Sequence, residues 1–211
     1  MTDIKIRIAT LKDAEALLAI YSPYVLNTAV TFEDTPPTLE EFSKRMGTYL
    51  ARYPYLAAID CEHDDEVVGF TYAGPFKQRS AYDWAVETSI YVRQGERGRG
   101  VGRLLYETLE AVLRKQGFTN MNAAVAYPLE EDEYLTRNSF NFHERMGFSY
   151  LGRFTKCGHK FGRWYDMCWM EKHIAPHLAE QPPIVPFPAL RDQLDLEELV
   201  REARARRAGE H

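Results

Sequence analysis

The sequence predicts one α/β (α+β) domain, built on a mixed central sheet of about seven strands that is flanked by helices. Three observations indicate this fold class. Short segments with strand-like alternation recur along the chain, amphipathic helical segments are inserted between them, and two long strand-like segments near the end form a hairpin. With 211 residues, 45% of them hydrophobic, the chain can bury a substantial core.

The first half of the chain predicts two helices and four strands. Thr10 and Thr38 each open a helix, with an acidic residue three positions later in the pattern of a capping box. The second of these helices continues to about residue 49. The polar residues 63–65 form the turn of a hairpin between two of the strands. The predicted strands are 4–9, 55–60, 66–74 and 84–92.

The second half predicts the longest helix of the domain. It begins at about Gly100 and ends at Gly117, and apolar residues recur along it at helical spacing. A further helix over residues 135–146 is closed by Gly147. The remaining predicted strands are 119–127, 148–158 and 163–173, with a turn at 159–162 between the last two.

The composition changes after His173. Residues 175–190 contain five prolines in sixteen positions, which predicts an extended arm rather than a helix or a central strand. A terminal helix follows, with apolar residues at Leu196, Leu199, Val200 and Ala203. We therefore divide the chain into a domain of residues 1–173 and a tail of residues 174–211, whose helix packs on its own domain or on a neighbouring subunit.

Charge and cysteine content argue against several classes of protein. The net charge of −5 opposes a dedicated nucleic-acid binder. No apolar run approaches the roughly 18 residues that cross a bilayer, and the start MTDIKIRIAT lacks the pattern of a signal peptide. The three cysteines form no C-x-x-C pair, so we expect buried, inert thiols in a reducing compartment. These features predict a cytoplasmic protein that binds neither nucleic acid nor membrane.

The stretch ERGRGVGRLL, residues 96–105, is the most specific local pattern. A dinucleotide fingerprint would need glycine where Arg103 stands, and the ending of a P-loop is missing. Two interpretations remain, a solvated turn and an anion-binding loop. Free N–H groups and the dipole at a helix N-terminus attract an anion, and glycines let it approach the backbone.

Arg97-x-x-Gly100-x-Gly102 matches the [QR]-x-x-G-x-[GA] signature of the GNAT superfamily of acyl-CoA-dependent N-acetyltransferases. Gly147-Phe148 supplies the last element of the strand–signature–helix–strand–helix order. The resemblance implies the GNAT acyl-CoA N-acyltransferase fold and acetyl-CoA as acetyl donor, without a metal. The coenzyme-binding residues that it implies are Ile90, Tyr91, Val92, Arg97, Gly98, Arg99, Gly100, Val101, Gly102, Arg103, Asn138 and Ser139.

A longer block, residues 72–92, resembles the phosphinothricin and methionine-sulfoximine acetyltransferase branch. Residues 28–34 and 159–172 resemble the early loop and last hairpin of that branch, so the likeness covers about residues 4–172. It implies the α-amine of a small amino-acid analogue as acceptor. It also implies a homodimer, and the aromatic late hairpin fits a subunit contact.

Two residues are candidates for proton transfer. Glu87 lies in the strand before the signature, where the branch has its proposed catalytic glutamate; it would act as a base, directly or through water, or would only bind the substrate ammonium. His143 occupies the position where many family members have a tyrosine acid and this branch commonly has histidine. A histidine on a helix also serves as a packing residue, so its role as acid or base stays open.

Lys77 and Arg79 precede the Glu87 strand and would hold the anionic group of the acceptor. The pocket walls implied by the resemblance, each of which also suits plain core packing, are Phe32, Tyr82 and Trp84. The chain departs from the family pattern twice. Thr136 occupies the usual position of the coenzyme-contacting asparagine, and the link at 128–140 is longer and more acidic than in phosphinothricin enzymes.

Three rival functions follow from the same residues. The acidic link would suit a polyamine or a protein N-terminus as acceptor, and the fold would also serve as a non-catalytic acyl-CoA sensor. The third alternative is a nucleic-acid binder that uses the arginines around the signature, and the net charge of the chain argues against it. His173 and His177 are four residues apart, but Pro176 between them opposes a helical metal site.

Overall fold

The computed structural model describes residues 4–96 and 98–208 and contains one seven-stranded mixed sheet. The strands lie in the order β1-β2-β3-β4-β5-β7-β6. They are β1 (Ile4–Ile8), β2 (Tyr55–Asp60), β3 (Glu66–Pro75), β4 (Ala85–Val92), β5 (Asn120–Tyr127), β6 (Ser149–Lys160) and β7 (Arg163–His173). The helices are α1 (Ala14–Asn27), α2 (Leu39–Leu50), α3 (Val101–Gln116), α4 (Asn138–Arg145), α5 (Phe187–Leu190) and α6 (Leu196–Ala208). The predicted fold class is confirmed.

The sheet separates two apolar cores. On one face, α3 packs against the sheet through fully buried residues such as Leu105 and Leu109. On the other face, α1 and α2 cover a second core that includes Leu17, Met46 and Phe70. All neighbouring strands are antiparallel except β4 and β5, which are parallel. Long α3 provides the crossover that a parallel pair requires.

The helix starts follow the capping signals of the sequence. Thr38 and Glu41 form the expected capping box at the start of α2, where the amide of Glu41 donates to the Thr38 hydroxyl at 3.2 Å. Thr10 caps a short 3₁₀ turn at Leu11–Asp13 that leads into α1. Gly117 ends α3 with a φ of 98°, as the C-cap pattern predicts.

The structure corrects the predicted boundaries of two elements. Helix α4 begins at Asn138 rather than at 135, because the Asp132 carboxylate accepts the amides of Tyr134 and Leu135, both at 2.8 Å, and holds them outside the helix. The last turn contains only Phe161 and Gly162, whose positive φ values of 51° and 72° suit a two-residue hairpin.

The tail lies against the domain. The amide of Val185 donates to the Gln116 carbonyl at 2.9 Å, and Val200 and Ala203 of α6 are buried in the core on the α3 side. The expectation of an extended arm is wrong at Phe187–Leu190, which form one helical turn. Pro188 is compatible with this turn because the backbone N–H groups of a first helical turn have no partner within the helix, so the N–H that proline lacks is not needed.

Two further sequence predictions have structural outcomes. Cys168 is buried as expected, but the expectation of burial is wrong for Cys61 and Cys157, which are exposed. Within residues 4–96 and 98–208, none of the helices combines the length and the apolar character needed to cross a membrane.

Candidate active site

A gap opens between β4 and β5 in the middle of the sheet. The two strands pair only where Ala85–Glu87 meets Asn120–Asn122. Beyond this point in the described chain, β4 continues along β3 and β5 continues along β7, so the two strands separate. The backbone of residues 88–92 therefore borders an open edge inside the sheet, where it can offer N–H and C=O groups to a ligand.

Successive side chains of β4 point to opposite faces of the sheet. Glu87 and Tyr91 lie on the face covered by α1 and α2, because their partners on β3 are Gly74 and Phe70. Ile90 and Val92 pack on the other face, against the core that contains α3. A ligand bound in the gap would therefore be close to β4 side chains on both faces of the sheet.

Glu87 is half-buried on the α1–α2 face. Burial raises the pKa of its carboxyl above the ordinary value, and the nearby Lys77 ammonium offsets only part of that rise. The carboxyl is therefore more basic than an exposed glutamate, which suits a group that must take a proton at neutral pH.

His143 lies on the opposite face and is only 4% exposed. Its Nδ1 donates to the Ser139 carbonyl at 2.7 Å, which leaves Nε2 to accept the Tyr106 hydroxyl at 3.0 Å. Burial lowers the pKa of His143 to about 4, so the ring is neutral at pH 7. A neutral ring with both nitrogens bonded to protein is poorly suited to donate a proton.

The hydroxyl of Tyr106 connects His143 to the separation point of the strands. It lies 3.0 Å from the Thr88 hydroxyl, which donates to the Asn122 carbonyl at 3.2 Å. Sequence analysis missed Tyr106 and Thr88. The available signal was a tyrosine inside the apolar face of α3, because a buried hydroxyl needs a partner.

The segment 93–100, called the glycine loop here, joins β4 to α3. Gly98 and Gly100 have φ values of 84° and 80°, in the left-handed region that side chains disfavour, and Gly100 is the N-cap of α3. The first turn of α3, Val101–Arg103, presents its amides there. This arrangement fits a pyrophosphate, since helix N-termini bind anions.

The arginines of this segment bond to protein carboxylates. Arg99 contacts Asp60 at 2.7 Å and also Glu96, and Arg103 donates to Glu107 at 2.6 Å. Arg97 lies outside the described residues. Asn138 and Ser139 form the first turn of α4, and Phe142 of the same helix faces Gly102 at the start of α3. The structure thus brings the starts of both helices together.

Lys77 is the predicted substrate residue with the best-defined surroundings. Its Nζ lies over the rings of Phe76, at 4.5 Å, and Trp169, at 4.7 Å from the ring centroids. Tyr82 contacts Phe76 edge-on at 5.7 Å. Sequence analysis missed Trp169, which β7 brings into this cluster. Arg79 is exposed just before the short turn that contains Tyr82.

The other two predicted walls have structural partners elsewhere. The indole of Trp84 donates to the Pro182 carbonyl at 2.7 Å and so anchors the tail. Phe32 packs on Gly158 of β6, where an added Cβ would lie 2.4 Å from the ring, so only glycine permits this contact. Lys160 donates to the Thr31 carbonyl at 2.8 Å and fixes the same early loop.

Two cavities in the described structure have linings that do not include Glu87. One of about 150 Å³ beneath α1 and α2 is lined by aromatic rings and the Glu33–Arg45 ion pair. The other, about 630 Å³, lies along the outer side of α3 and contains no β4 residue. The candidate site is therefore defined by Glu87, Lys77 and the open edge of β4 rather than by either cavity.

Comparisons with known proteins identify the family that the chain resembles. A family model described as an acetyltransferase (GNAT) domain matches residues 6–169. A phosphinothricin N-acetyltransferase of Streptomyces coelicolor is 33% identical over 174 residues, covering 82% of this chain and 97% of that protein. A methionine sulfoximine/methionine sulfone acetyltransferase of Pseudomonas aeruginosa is 34% identical, covering 81% and 95% respectively. The crystal structure of a Sinorhizobium meliloti phosphinothricin acetyltransferase with acetyl-CoA superposes with a TM-score of 0.78 at 32% identity, covering 90% of this chain and 97% of that one.

Proposed function

The chain belongs to the GNAT family of acetyltransferases, and from this premise we propose that it acetylates the α-amine of small amino-acid analogues of the phosphinothricin, methionine sulfoximine or methionine sulfone type. The observation that carries the proposal is that the Lys77 ammonium lies near enough to Glu87 to lower the pKa of its carboxyl, while burial raises it. Such acceptors combine an anionic group with an ammonium group, and a cation beside a carboxylate of raised pKa complements both.

Acetyl-CoA, when bound, supplies an acetyl group activated as a thioester. The amides of Gly98–Gly102 would hold its pyrophosphate, and the gap between β4 and β5 would receive the thioester arm. Glu87 would take the proton of the acceptor ammonium, directly or through water, and so free the lone pair for attack. A backbone N–H near Ile90, on the open edge of β4, would donate to the carbonyl oxygen as negative charge develops there.

The departing thiolate needs a proton, for which the sequence offered His143 or solvent. The buried, neutral state of His143 favours solvent, because a group with a pKa of about 4 carries no proton to give at pH 7. We therefore assign His143 to holding the Tyr106 hydroxyl in place rather than to proton donation.

The rival acceptor class, a polyamine or a protein N-terminus, depended on an acidic entrance in the 128–140 link. Three of its carboxylates make bonds within the protein: Asp132 and Glu133 bind Arg163, both at 2.8 Å, and Glu131 accepts the Arg137 amide at 2.7 Å. These bonds fix the shape of the link, but Arg163 offsets only one of the two carboxylates that it binds and a backbone amide offsets none, so the link keeps a net negative charge. The preference for an amino-acid analogue as acceptor therefore rests on the relatives and on the assay below.

A homodimer in the cytoplasm completes the proposal. Large apolar side chains are exposed on the β6–β7 hairpin, including Tyr150, Leu151, Phe154 and Trp164. Exposed large apolar side chains concentrated on one hairpin are typical of a protein–protein interface. Sedimentation velocity should give twice the chain mass, and Trp164→Asp should shift the protein toward monomer.

The deciding experiment measures thiol release from acetyl-CoA with a panel of amines. We expect selective turnover of phosphinothricin, methionine sulfoximine and methionine sulfone over common amino acids and spermidine. Glu87→Gln should lower kcat with these acceptors by about a hundredfold and leave the Kd of acetyl-CoA unchanged, because positioned general bases contribute rate factors of this order. Turnover of spermidine alone would refute the acceptor class, and wild-type kcat in the variant would refute the base.

A further inference from the structure

The glycine loop is flanked by the turn end of the β2–β3 hairpin. Gly69 of β3 pairs with Val92 at the end of β4, so the start of β3 lies beside the start of the loop. Asp60 and Glu66 face each other across the hairpin as the last pair of β2 and β3. The pairing of the strands thus places these two carboxylates beside the loop, although both are far from it in sequence.

Each carboxylate binds an arginine at a different end of the loop. Glu66 binds Arg93, which leads out of β4, and Arg93 also donates to the Val67 carbonyl at 2.7 Å. Asp60 binds Arg99 at 2.7 Å, directly before the N-cap of α3. The loop is therefore tied to the hairpin at its start and at its end.

The Asp60 contact is the more enclosed of the two. Asp60 is 1% exposed, whereas the Glu66 side chain is 54% exposed. Burial alone would raise the pKa of the Asp60 carboxyl, but hydrogen bonds from Arg99, the Glu62 amide and His63 hold it below its ordinary value. If Arg99 left for a phosphate, this enclosed charge would lose its main counter-ion, so the contact should persist when a ligand binds.

Both terminal nitrogens of Arg99 bind protein carboxylates, since Nη1 binds Glu96 and Nη2 binds Asp60, and these contacts direct the guanidinium toward the hairpin. In this arrangement the loop offers an anion its backbone amides and the helix dipole, and the side chain of Arg99 holds the loop in shape. This differs from the coenzyme contact that the sequence resemblance implied for Arg99.

We propose that Asp60 is a positioning residue for acetyl-CoA: through Arg99 it fixes the glycine loop in the conformation that receives the pyrophosphate. The inference rests on the proposed function, because it takes the loop as the coenzyme site. Neither residue touches the reacting atoms, so the effect should appear in coenzyme binding and not in the chemical step.

The test measures the Kd of acetyl-CoA by calorimetry at several salt concentrations, together with kcat at saturating coenzyme. Asp60→Asn and Arg99→Gln should each raise Kd about tenfold, the value expected for losing one charge-assisted hydrogen bond. The double variant should be no worse than either single one, and kcat at saturation should stay at the wild-type value. The salt dependence of Kd should also stay unchanged in Arg99→Gln, because no phosphate contact is lost.

Asp64→Asn is the matched control, since it removes the same charge from the exposed turn of the same hairpin; its Kd should equal that of wild type. A Kd at or below the wild-type value in Asp60→Asn, with weaker binding and a shallower salt dependence in Arg99→Gln, would overturn the proposal and make Arg99 a phosphate ligand. If Asp60→Asn does not fold, Arg99→Lys decides, because lysine keeps the charge but lacks the two separate nitrogens with which Arg99 binds Glu96 and Asp60. Its Kd should rise as in Arg99→Gln, and a wild-type Kd would overturn the proposal.

Gly100→Val separates this proposal from the one on which it rests. A side chain at φ 80° in the N-cap should weaken acetyl-CoA binding whatever Asp60 does. Unchanged affinity in that variant would refute the loop as the coenzyme site. Weakened affinity there together with wild-type binding in Asp60→Asn would refute the positioning role alone.

Discussion

The burial of His143 should make the stability of the protein depend on pH in a defined window. The pKa of this group is about 4 in the folded protein and 6.5 in its ordinary state. As the pH falls, the unfolded chain binds the proton first, so the contribution is fully present above pH 6.5 and is lost on going toward pH 4. Linkage gives a loss of about 2 kcal/mol at about pH 5 and about 3 kcal/mol below pH 4.

Urea unfolding of wild type and His143→Asn between about pH 7.5 and pH 5 isolates this contribution, because all other titrating groups are common to both proteins. The free energy of unfolding of wild type should fall by about 2 kcal/mol more than that of the variant. His159→Asn, at an exposed position of β6, should keep the wild-type pH dependence. Parallel curves for wild type and His143→Asn would refute a buried neutral histidine.

Two other substitutions test the site and the fold separately. Lys77→Met should raise the KM for methionine sulfone about tenfold. Because the change also removes a cation near Glu87, it should raise the pKa of that carboxyl and move the acidic limb of the kcat/KM profile to higher pH. Lys44→Met on α2 is the control, and an unchanged KM in Lys77→Met would contradict the substrate role. Thr38→Ala should cost about 1 kcal/mol of stability through loss of the cap, measured as a lower Tm, and leave kcat unchanged. Thr48→Ala, inside α2, should lower Tm less, and the reverse order would contradict the capping assignment.

The local pattern of the chain was sufficient to predict most elements of the fold. Strand alternation in β1, the capping box at Thr38 and the glycine that ends α3 all depend on neighbouring residues, and each is observed. Errors occurred where a long-range contact or a side-chain bond competed with the local pattern. Asp132 delays the start of α4, and the tail forms a short helix at Phe187–Leu190, where Phe187 is buried against Val112 and Leu199.

The candidate site shows the same division. The sequence by itself determined the glycine loop, the strand that carries Glu87 and the order of elements around them, because these depend on spacing along the chain. Only the tertiary structure decided what each side chain faces. It pairs Arg99 with Asp60, 39 residues away, and encloses His143 against Tyr106, 37 residues away. Burial and charge pairing arise from segments that meet only in the fold, and these set the proton affinity and the free hydrogen-bonding capacity of a residue.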